Sequence, residues 1–293
     1  MMKLYDDLYI GIPSNIRIDN CVIGEKWVTV RAGGNVGIAK MLEKPSHEGA
    51  EFGGKWLRDV AGHLYWHDLT EAAVGVAALN AWYNTPEHIA SMNDWYNTDE
   101  HKKFYGPLAA DDYACCEGKK TAVVGDCPFF ELSGKAADRF ELPFGETPDE
   151  TVYGALKDYD TVVISADALT AKSMCALLEL IGEDGYAVVD GVSAPASQCF
   201  FAFDMPVKRI NGYFRRFDYT MEDAARLNLD SLDPGVYNFS IEPVKVDTFY
   251  DEQERLQTYL RSPYKASSFN NRFNSDWEGT AKTLNEWDPI YKG

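Results

Sequence analysis

The sequence predicts an α/β protein in which a small α+β unit precedes a doubly wound, mainly parallel sheet. Two observations carry this prediction. Within the first hundred residues, short and partly alternating apolar runs give way to helical spacing from Lys55 onward. From Lys120 onward, short β-branched runs alternate with helical stretches, as in strand–helix–strand units of a parallel sheet.

The length of the chain favours two domains. Its 293 residues exceed most single cores, and 45% apolar with 25% charged residues is ordinary globular usage. We expect an α+β domain over residues 1–105, an α/β domain over 106–232 and an extension over 233–293.

The start of the chain predicts one short helix and three strands. The helix ends near Gly11, and apolar runs over 16–22 and 27–30, separated by turn residues, form a hairpin pattern. The turn at 33–35 then leads to a third strand over 36–41, and 45–54 is a polar loop.

Two helices are expected next. The first should bury one face, which is formed by Trp56, Leu57, Val60, Ala61 and Leu64. The second begins at Leu69, because Asp68 and Glu71 have capping-box spacing, and it runs to about Tyr83. Its buried residues are expected to be Ala72, Ala73, Val76 and Ala77.

The second half should contain five strands before a less regular end. Main strands are expected at 120–125, 160–165 and 186–191, an edge strand at 139–142, a fifth strand at 209–214, and helices at 149–158 and 171–182. Beyond 232 we expect a strand over 237–246 and a helix over 251–260.

Charge and composition exclude several classes of partner. A net charge of −18 repels phosphate backbones, so nucleic acid is not expected. No apolar run approaches the roughly 18 residues that cross a bilayer, and the charged start does not resemble a signal peptide. With six sparse cysteines, expected to be reduced thiols, we predict a cytoplasmic protein that does not bind membranes.

Three loops that follow the parallel strands form a candidate ligand site. In open α/β sheets, ligands collect outside the carboxyl ends of the strands. The alternative is that these Gly, Ser, Asp and Pro residues only end strands and cap helices. The loops are Gly125-Asp126-Cys127-Pro128, Ser165-Ala166-Asp167 and Gly191-Val192-Ser193-Ala194-Pro195.

The sequence contains no NAD or ATP motif. Gly125 is followed by Asp126, Cys127 and Pro128, which matches neither the dinucleotide fingerprint nor the phosphate loop, and Asp126 would repel a pyrophosphate. Ser165 or Ser193 as a nucleophile would need a base that the sequence does not locate.

Other patterns each have two interpretations. His63 and His67 have the spacing of a helical metal pair, but a helix break between them favours surface or half-buried histidines. Cys115 and Cys116, together with Cys127, could hold a soft metal or be ordinary thiols. Asn80, on an apolar helix face, is either satisfied by backbone or directed at a ligand.

Four stretches of the chain resemble a family of heavy-metal chelation proteins, in which an enolase N-terminal-like domain precedes a Rossmann-like domain. The resemblance covers about residues 1–230. The stretches are Trp27-Val28-Thr29-Val30-Arg31, Glu71 with Asn80-Ala81-Trp82-Tyr83-Asn84, Val124-Gly125-Asp126-Cys127-Pro128-Phe129, and Asp190-Gly191-Val192-Ser193-Ala194-Pro195.

The resemblance implies a cleft between the two domains that binds a metal ion, a metal chelate or a cofactor precursor. Its lining would be Arg31, Glu71, Asn80 and Asn84 from one side, and Gly125, Asp126, Ser165, Gly191 and Ser193 from the other. The family commonly has histidine at the position of Asp126. A carboxylate there suits a harder ion, and Asp126 with Cys127 is the candidate metal pair, for a transition-metal ion.

Two alternatives remain beside binding. The chain could be an enzyme for a small organic ligand, with Glu71 or Asp126 as acid/base and Arg31 as anion clamp. It could also be an interaction protein whose aromatic tail docks on a second copy, although such a tail can equally wrap its own domain. The tail aromatics are Tyr237, Phe239, Trp277 and Trp287.

Overall fold

The residues that the computed structural model describes form two β-sheets with helices packed against them. These residues are 3–92, 110–201, 205–215, 221–226 and 236–242. One sheet has three strands and the other six. We call them the small sheet and the large sheet. This mixed α/β architecture, with an antiparallel sheet followed by a mostly parallel one, confirms the fold class at that level.

The small sheet is an antiparallel meander with neighbouring strands paired in sequence order. Cys21 faces Val30, and Val30 faces Gly37 across the next strand. A 3-10 turn, Gly62–Tyr65, connects the second and third helices. The elements are α1 (Lys3–Ile10), β1 (Ile18–Ile23), β2 (Trp27–Ala32), β3 (Asn35–Lys40), α2 (Leu57–Ala61), α3 (Leu69–Tyr83) and α4 (Pro86–Met92).

Helix α3 is buried between the small sheet and helix α2. Asp68 caps it by accepting a hydrogen bond from Glu71 N at 2.9 Å, so the predicted start is confirmed. Thirteen of its fifteen residues are buried, because it contacts β2 and β3 on one side and α2 with its following turn on the other. The predicted face of Ala72, Ala73, Val76 and Ala77 is therefore part of a helix buried nearly all round.

The large sheet is parallel except at one edge. Its strand order is β5-β4-β6-β7-β8-β9, and only β9 runs antiparallel to its neighbour. Its elements are β4 (Thr121–Val124), α5 (Pro128–Leu132), β5 (Asp138–Phe140), α6 (Glu150–Tyr153), β6 (Thr161–Ser165), α7 (Met174–Glu179), β7 (Tyr186–Asp190), β8 (Val207–Arg215), α8 (Met221–Arg226) and β9 (Val236–Ile241).

Several sequence expectations need correction. Trp56 is not on the buried helix face: it is 37% exposed, and the guanidinium of Arg17 stacks on its ring. The helix expected over 149–158 is α6 followed by a 3-10 turn, and the one over 171–182 is only the short α7. The helix expected over 251–260 lies outside the described residues.

The two sheets share one main hydrophobic core, which takes side chains from α1, β2 and α3 as well as from β4, β6 and β7. Strand β3 also contacts β8. The shared core holds the end of β3 close to the loops of the large sheet. Within the described ranges, no helix is long and apolar enough to cross a membrane.

Candidate functional site

The strand order of the large sheet reverses at β4. From there β5 lies to one side, and β6, β7 and β8 follow on the other. This is the doubly wound order in which ligands bind outside the carboxyl ends of the first and third strands of the sheet, here β4 and β6. Asp126 follows β4 and Asp167 follows β6. The topology therefore points to these two carboxylates.

A cavity of about 360 Å³ lies at this position. The small sheet contributes the β1–β2 turn and the end of β3, and the large sheet contributes the loops after β4, β6 and β7 together with β8. Three carboxylates and two ammonium groups give the lining a mixed charge. The lining residues are Glu25, Lys26, Trp27, Lys40, Met41, Asp126, Pro128, Asp167, Gly191, Val192 and Tyr213.

Lys40, the last residue of β3, is the central charged group of the cavity. Its Nζ lies 2.5 Å from Asp126 Oδ2 and 3.8 Å from Asp167 Oδ2. Burial alone would lower the pKa of Lys40, but the two carboxylates outweigh it and raise the pKa. The ammonium group therefore remains charged between the carboxylates.

Ser193 connects the small sheet to the buried carboxylate. Its hydroxyl donates to Asp167 Oδ1 at 2.6 Å and accepts from the backbone N–H of Lys40 at 3.1 Å. Ser165 Oγ accepts from Asp167 N at 3.3 Å and so caps the turn that carries Asp167. Burial raises the pKa of Asp167, while Lys40 and Ser193 act against the shift.

Two glycines shape the loops of this site. Gly125 has φ +78° and Gly191 φ +128°, a region that disfavours side chains. A Cβ on Gly125 would also lie 2.9 Å from Ser165 Cβ. Gly125 therefore lets the loop after β4 approach the loop after β6, and Gly191 belongs to the cavity lining.

The side-chain amides of Asn80 and Asn84 form hydrogen bonds with backbone atoms. Asn80 Nδ2 donates to Ile38 O at 2.8 Å, which ties α3 to β3. Asn84 Nδ2 donates to Ala194 O at 2.9 Å and to Tyr213 O at 3.0 Å, and its Oδ1 accepts from Ala196 N at 2.8 Å. Neither residue lines the cavity, although Asn84 holds the loop that follows β7.

Arg31 lies at the opposite end of β2 from the cavity. Trp27, which pairs with Lys40, is four residues away along the strand, or about 13 Å. The guanidinium binds Glu222 of α8 through two hydrogen bonds of 3.0 Å each. Arg31 is therefore engaged in a structural ion pair, not directed at the cavity.

Among the described residues, no cysteine joins Asp126 in a group with the spacing of metal ligands. Cys127 is buried in an apolar cluster, and its Sγ lies 3.7 Å from Val124 O. Burial raises the pKa of Cys127, which disfavours the thiolate that a metal requires. Cys115 and Cys116 have their sulfur atoms 3.8 Å apart.

Glu71 lies in a separate group at the start of α3. His63 Nδ1 contacts its Oε2, and His47 Nε2 lies 3.4 Å from its Oε1. Glu71 therefore does not reach back to its own helix start as the capping box implied. His63 stacks on Trp66, whereas His67 is exposed and does not join the group. Together with Glu51, His47 and Glu71 have the spacing of possible metal ligands.

Sequence reasoning found part of this arrangement. The sequence predicts Asp126, Gly191 and the loop containing Asp167, but it does not predict Lys40, His47 or Glu51. The signal for Lys40 was a charged residue at the end of a buried strand. The signal for His47 and Glu51 was their separation of four residues in a polar loop.

Family models match both halves of the chain. Residues 5–83 match the DUF4213 model and residues 113–227 the DUF364 model, and both models are described as "Putative heavy-metal chelation". The chain therefore contains both of these family regions, and the resemblance found in the sequence is confirmed. None of the curated proteins matches the chain.

Two crystal structures of DUF364-family proteins with unknown function share the fold. The protein from Desulfitobacterium hafniense DCB-2 is 22% identical, with a TM-score of 0.63, over 82% of this chain and 97% of that one. The protein from Pyrococcus horikoshii is 14% identical, with a TM-score of 0.60, over 82% of this chain and 98% of that one. At these identities the likeness concerns the fold alone.

Proposed function

We propose that the chain binds a small metal chelate, or the metal-containing precursor of a cofactor, in the cavity around Lys40. The observation that carries the proposal is the convergence of Lys40, Asp126 and Asp167 on one cavity at the reversal of strand order. The description of both family regions as heavy-metal chelation supports a metal-containing ligand.

The mixed charge of the cavity favours a chelate over a bare ion. A bare cation would have to compete with the Lys40 ammonium group for Asp126 and Asp167. A bare anion bound to Lys40 would be repelled by the nearby carboxylates of Asp126 and Asp167. A chelate offers both charges, so its organic carboxylates can pair with Lys40 or Lys26 while its metal ion faces Asp126.

The cavity size agrees with this class of ligand. Small-molecule sites usually enclose about 300–1,000 Å³, so about 360 Å³ suits a metal ion held by one small polycarboxylate. The apolar surface of Trp27, Met41 and Val192 would exclude water around it.

A nickel–citrate complex is a suitable probe. Calorimetry with metal-free protein should show that Ni²⁺–citrate binds more tightly than citrate alone. Lys40→Gln and Asp126→Asn should each weaken binding of the complex by about tenfold, because each removes one charge-assisted contact. Both side chains are partly exposed, so the variants should fold.

Matched controls come from exposed residues outside the cavity. Lys44→Gln and Asp158→Asn should bind Ni²⁺–citrate like the unmodified protein. Equal binding by Lys40→Gln and the unmodified protein, or no heat with the complex, would contradict the proposal.

A small-molecule enzyme acting in the same cavity is the second candidate. It is favoured by the buried Asp167 carboxyl, whose raised pKa suits proton transfer. Lys40 would replace Arg31 as the anion clamp, since Arg31 is held by Glu222. A carbon-13 NMR titration in which Asp167 ionises at the ordinary aspartate pH would argue against this role.

We also infer finer assignments of the fold. The meander followed by helices supports an enolase N-terminal-like domain over 1–105, and the strand order of the large sheet supports a Rossmann-like domain over 106–232. Residues 233–293 would form an extension that begins with β9 on the edge of the large sheet. Six free thiols support a cytoplasmic location. Limited proteolysis that cuts first near 105 would support the first boundary.

A further inference from the structure

A second group of polar side chains lies at the start of α3, outside the cavity around Lys40. His47 and Glu51 come from the loop after β3, and Glu71 comes from the first turn of α3. One ligand atom from each of the three lies within 4.8 Å of the others. None of the three lines the cavity.

Two of the three distances within this group match those around a tetrahedral metal ion. His47 Nε2 lies 3.5 Å from Glu51 Oε1 and 3.4 Å from Glu71 Oε1. Ligand atoms about 2.1 Å from a tetrahedral ion are about 3.4 Å apart, because a tetrahedron's edge is about 1.63 times its centre-to-corner distance. The spacing is longer than an ordinary hydrogen bond and suits an ion between the atoms.

The hydrogen bonding of His47 leaves its Nε2 atom available to a metal. Nδ1 lies 2.8 Å from Ser46 Oγ, and the Ser46 hydroxyl donates to Asp68 Oδ1 at 3.3 Å. Because the Ser46 hydroxyl donates to Asp68, its oxygen accepts a hydrogen bond from Nδ1–H of His47, and a neutral ring then has its lone pair on Nε2. This nitrogen is buried and makes no hydrogen bond with any described residue.

Glu71 is held in place by a second histidine. His63 Nδ1 binds the Oε2 atom, so Oε1 is left on the side of His47. The His63 ring stacks on Trp66, with centroids 4.4 Å apart and planes within 5° of parallel. Such outer partners orient the carboxylates and imidazoles of metal sites.

We propose that His47, Glu51 and Glu71 bind a divalent transition-metal ion such as Zn²⁺, with a water molecule as fourth ligand. One nitrogen and two carboxylate oxygens are a common ligand set for such ions, and imidazole favours them over Mg²⁺ or Ca²⁺. The Glu51 side chain is 55% exposed, so the site is open to solvent on that side. This site is independent of the ligand proposed for the cavity around Lys40.

Co²⁺ is the probe of choice, because tetrahedral Co²⁺ absorbs visible light far more strongly than octahedral Co²⁺. Chelator-treated full-length protein should bind Co²⁺ with a tetrahedral spectrum, and Zn²⁺ should displace it. His47→Gln and Glu51→Gln should each weaken binding at least tenfold, since each removes a direct ligand. Glu51 is exposed enough that its replacement should leave the fold intact.

Three controls isolate the site. Glu48→Gln alters an exposed neighbour in the same loop, and His67→Gln alters an exposed histidine nearby. Asp126→Asn alters the cavity around Lys40. All three should keep the spectrum and affinity of the unmodified protein. Failure of Co²⁺ to bind, or unchanged binding by His47→Gln, overturns the proposal.

Discussion

Asp190 lies fully buried at the carboxyl end of β7 and accepts hydrogen bonds from backbone groups of α5. The donors are Phe130 N at 2.9 Å and Phe129 N at 3.3 Å, and the Tyr113 hydroxyl also donates to the carboxylate. Burial raises the pKa of Asp190 to about 7 in spite of these donors. The loop after β7 therefore begins at a carboxyl group that titrates near neutral pH.

The raised pKa predicts a pH-dependent stability. Unfolded aspartate titrates near about 3.9, so between about pH 4 and the folded pKa of about 7 the folded protein binds more protons than the unfolded chain. Stability should therefore fall as pH rises through this window. Urea unfolding should show that the unmodified protein loses stability relative to Asp190→Asn over that range. The difference in stability between the unmodified protein and Asp149→Asn, a replacement at an exposed helix cap, should stay constant over the same range, because the pKa of Asp149 is lowered.

Gly37 sets the distance between β3 and α3. A Cβ at this position would lie 2.0 Å from Ala81 N and 2.1 Å from Ala77 O, both backbone atoms of the helix. We expect Gly37→Ala to lower the free energy of unfolding by about 3 kcal/mol or more, because neither backbone can move alone. Thermal unfolding would measure it.

Gly154→Ala is the matched control for this prediction. Gly154 has φ −60°, and a Cβ there would meet nothing within 4 Å. Its replacement should change the free energy of unfolding by no more than about 0.5–1 kcal/mol, in the stabilising direction. A comparable loss in both variants would show that Gly37 is not a point of close packing.

Helix α8 is tied to the small sheet by charge. Glu222 accepts from Arg31 of β2 and from Asn20 of β1, in each case at 3.0 Å. Burial alone would raise the pKa of Glu222, but the hydrogen bonds and charge of Arg31 outweigh it and hold the pKa below its ordinary value. The ion pair therefore stabilises the packing of α8 at neutral pH.

Replacing Arg31 tests this tie. Arg31→Met should lower the free energy of unfolding by about 1–3 kcal/mol at pH 7, since Glu222 is left mostly buried without its cation. The folded pKa of Glu222 is depressed, so the loss should shrink as pH falls below about 4 and the carboxyl group becomes protonated. Urea unfolding at several pH values measures both effects.

Arg226→Met provides the control within the same helix. Arg226 and Asp223 form a pair three residues apart, with side chains 52% and 53% exposed. Removing this surface pair should change stability by less than about 0.5 kcal/mol at any pH. An equal effect of the two arginine replacements would mean that burial of the Arg31 pair contributes little.

Helices and strands were predictable where residues close in sequence determine them. The Asp68 cap predicted the start of α3, and β-branched runs predicted β4, β6 and β7. Prediction failed where a distant partner decides the outcome. Trp56 packs under the guanidinium of Arg17, and Glu71 contacts His63 and His47. Helical spacing predicts none of these contacts.

At the scale of the whole molecule, the sequence predicted which loops of the large sheet would line a site, but not which residues of the small sheet would face them. The carboxyl ends of parallel strands share one edge, so Asp126 and Asp167 could be placed there from strand pattern alone. Lys40 could not be, because its approach depends on how the small sheet packs against the large one. The family resemblance implies Arg31 on the same sheet, but Arg31 lies at the other end of β2.

Asn84 joins the end of α3 to the large sheet and its loops. At the end of α3, its amide makes three hydrogen bonds to backbone atoms, two in the loop after β7 and one in β8. Asn84→Ala would remove all three hydrogen bonds, and we expect it to lower the free energy of unfolding by about 3 kcal/mol. Because the lost contacts join α3 of the N-terminal half to the large sheet and its loop, we expect the two halves to unfold at different urea concentrations in this variant.

Two probes can detect this loss of coupling. Tryptophan fluorescence reports mainly on the N-terminal half, because four of the seven tryptophans are Trp27, Trp56, Trp66 and Trp82. Circular dichroism reports on both halves. The two transitions should coincide in the unmodified protein and in Asn80→Ala, which loses one hydrogen bond from α3 to β3, and separate in Asn84→Ala. Coincident transitions in Asn84→Ala would mean that the shared core alone makes the molecule one cooperative unit.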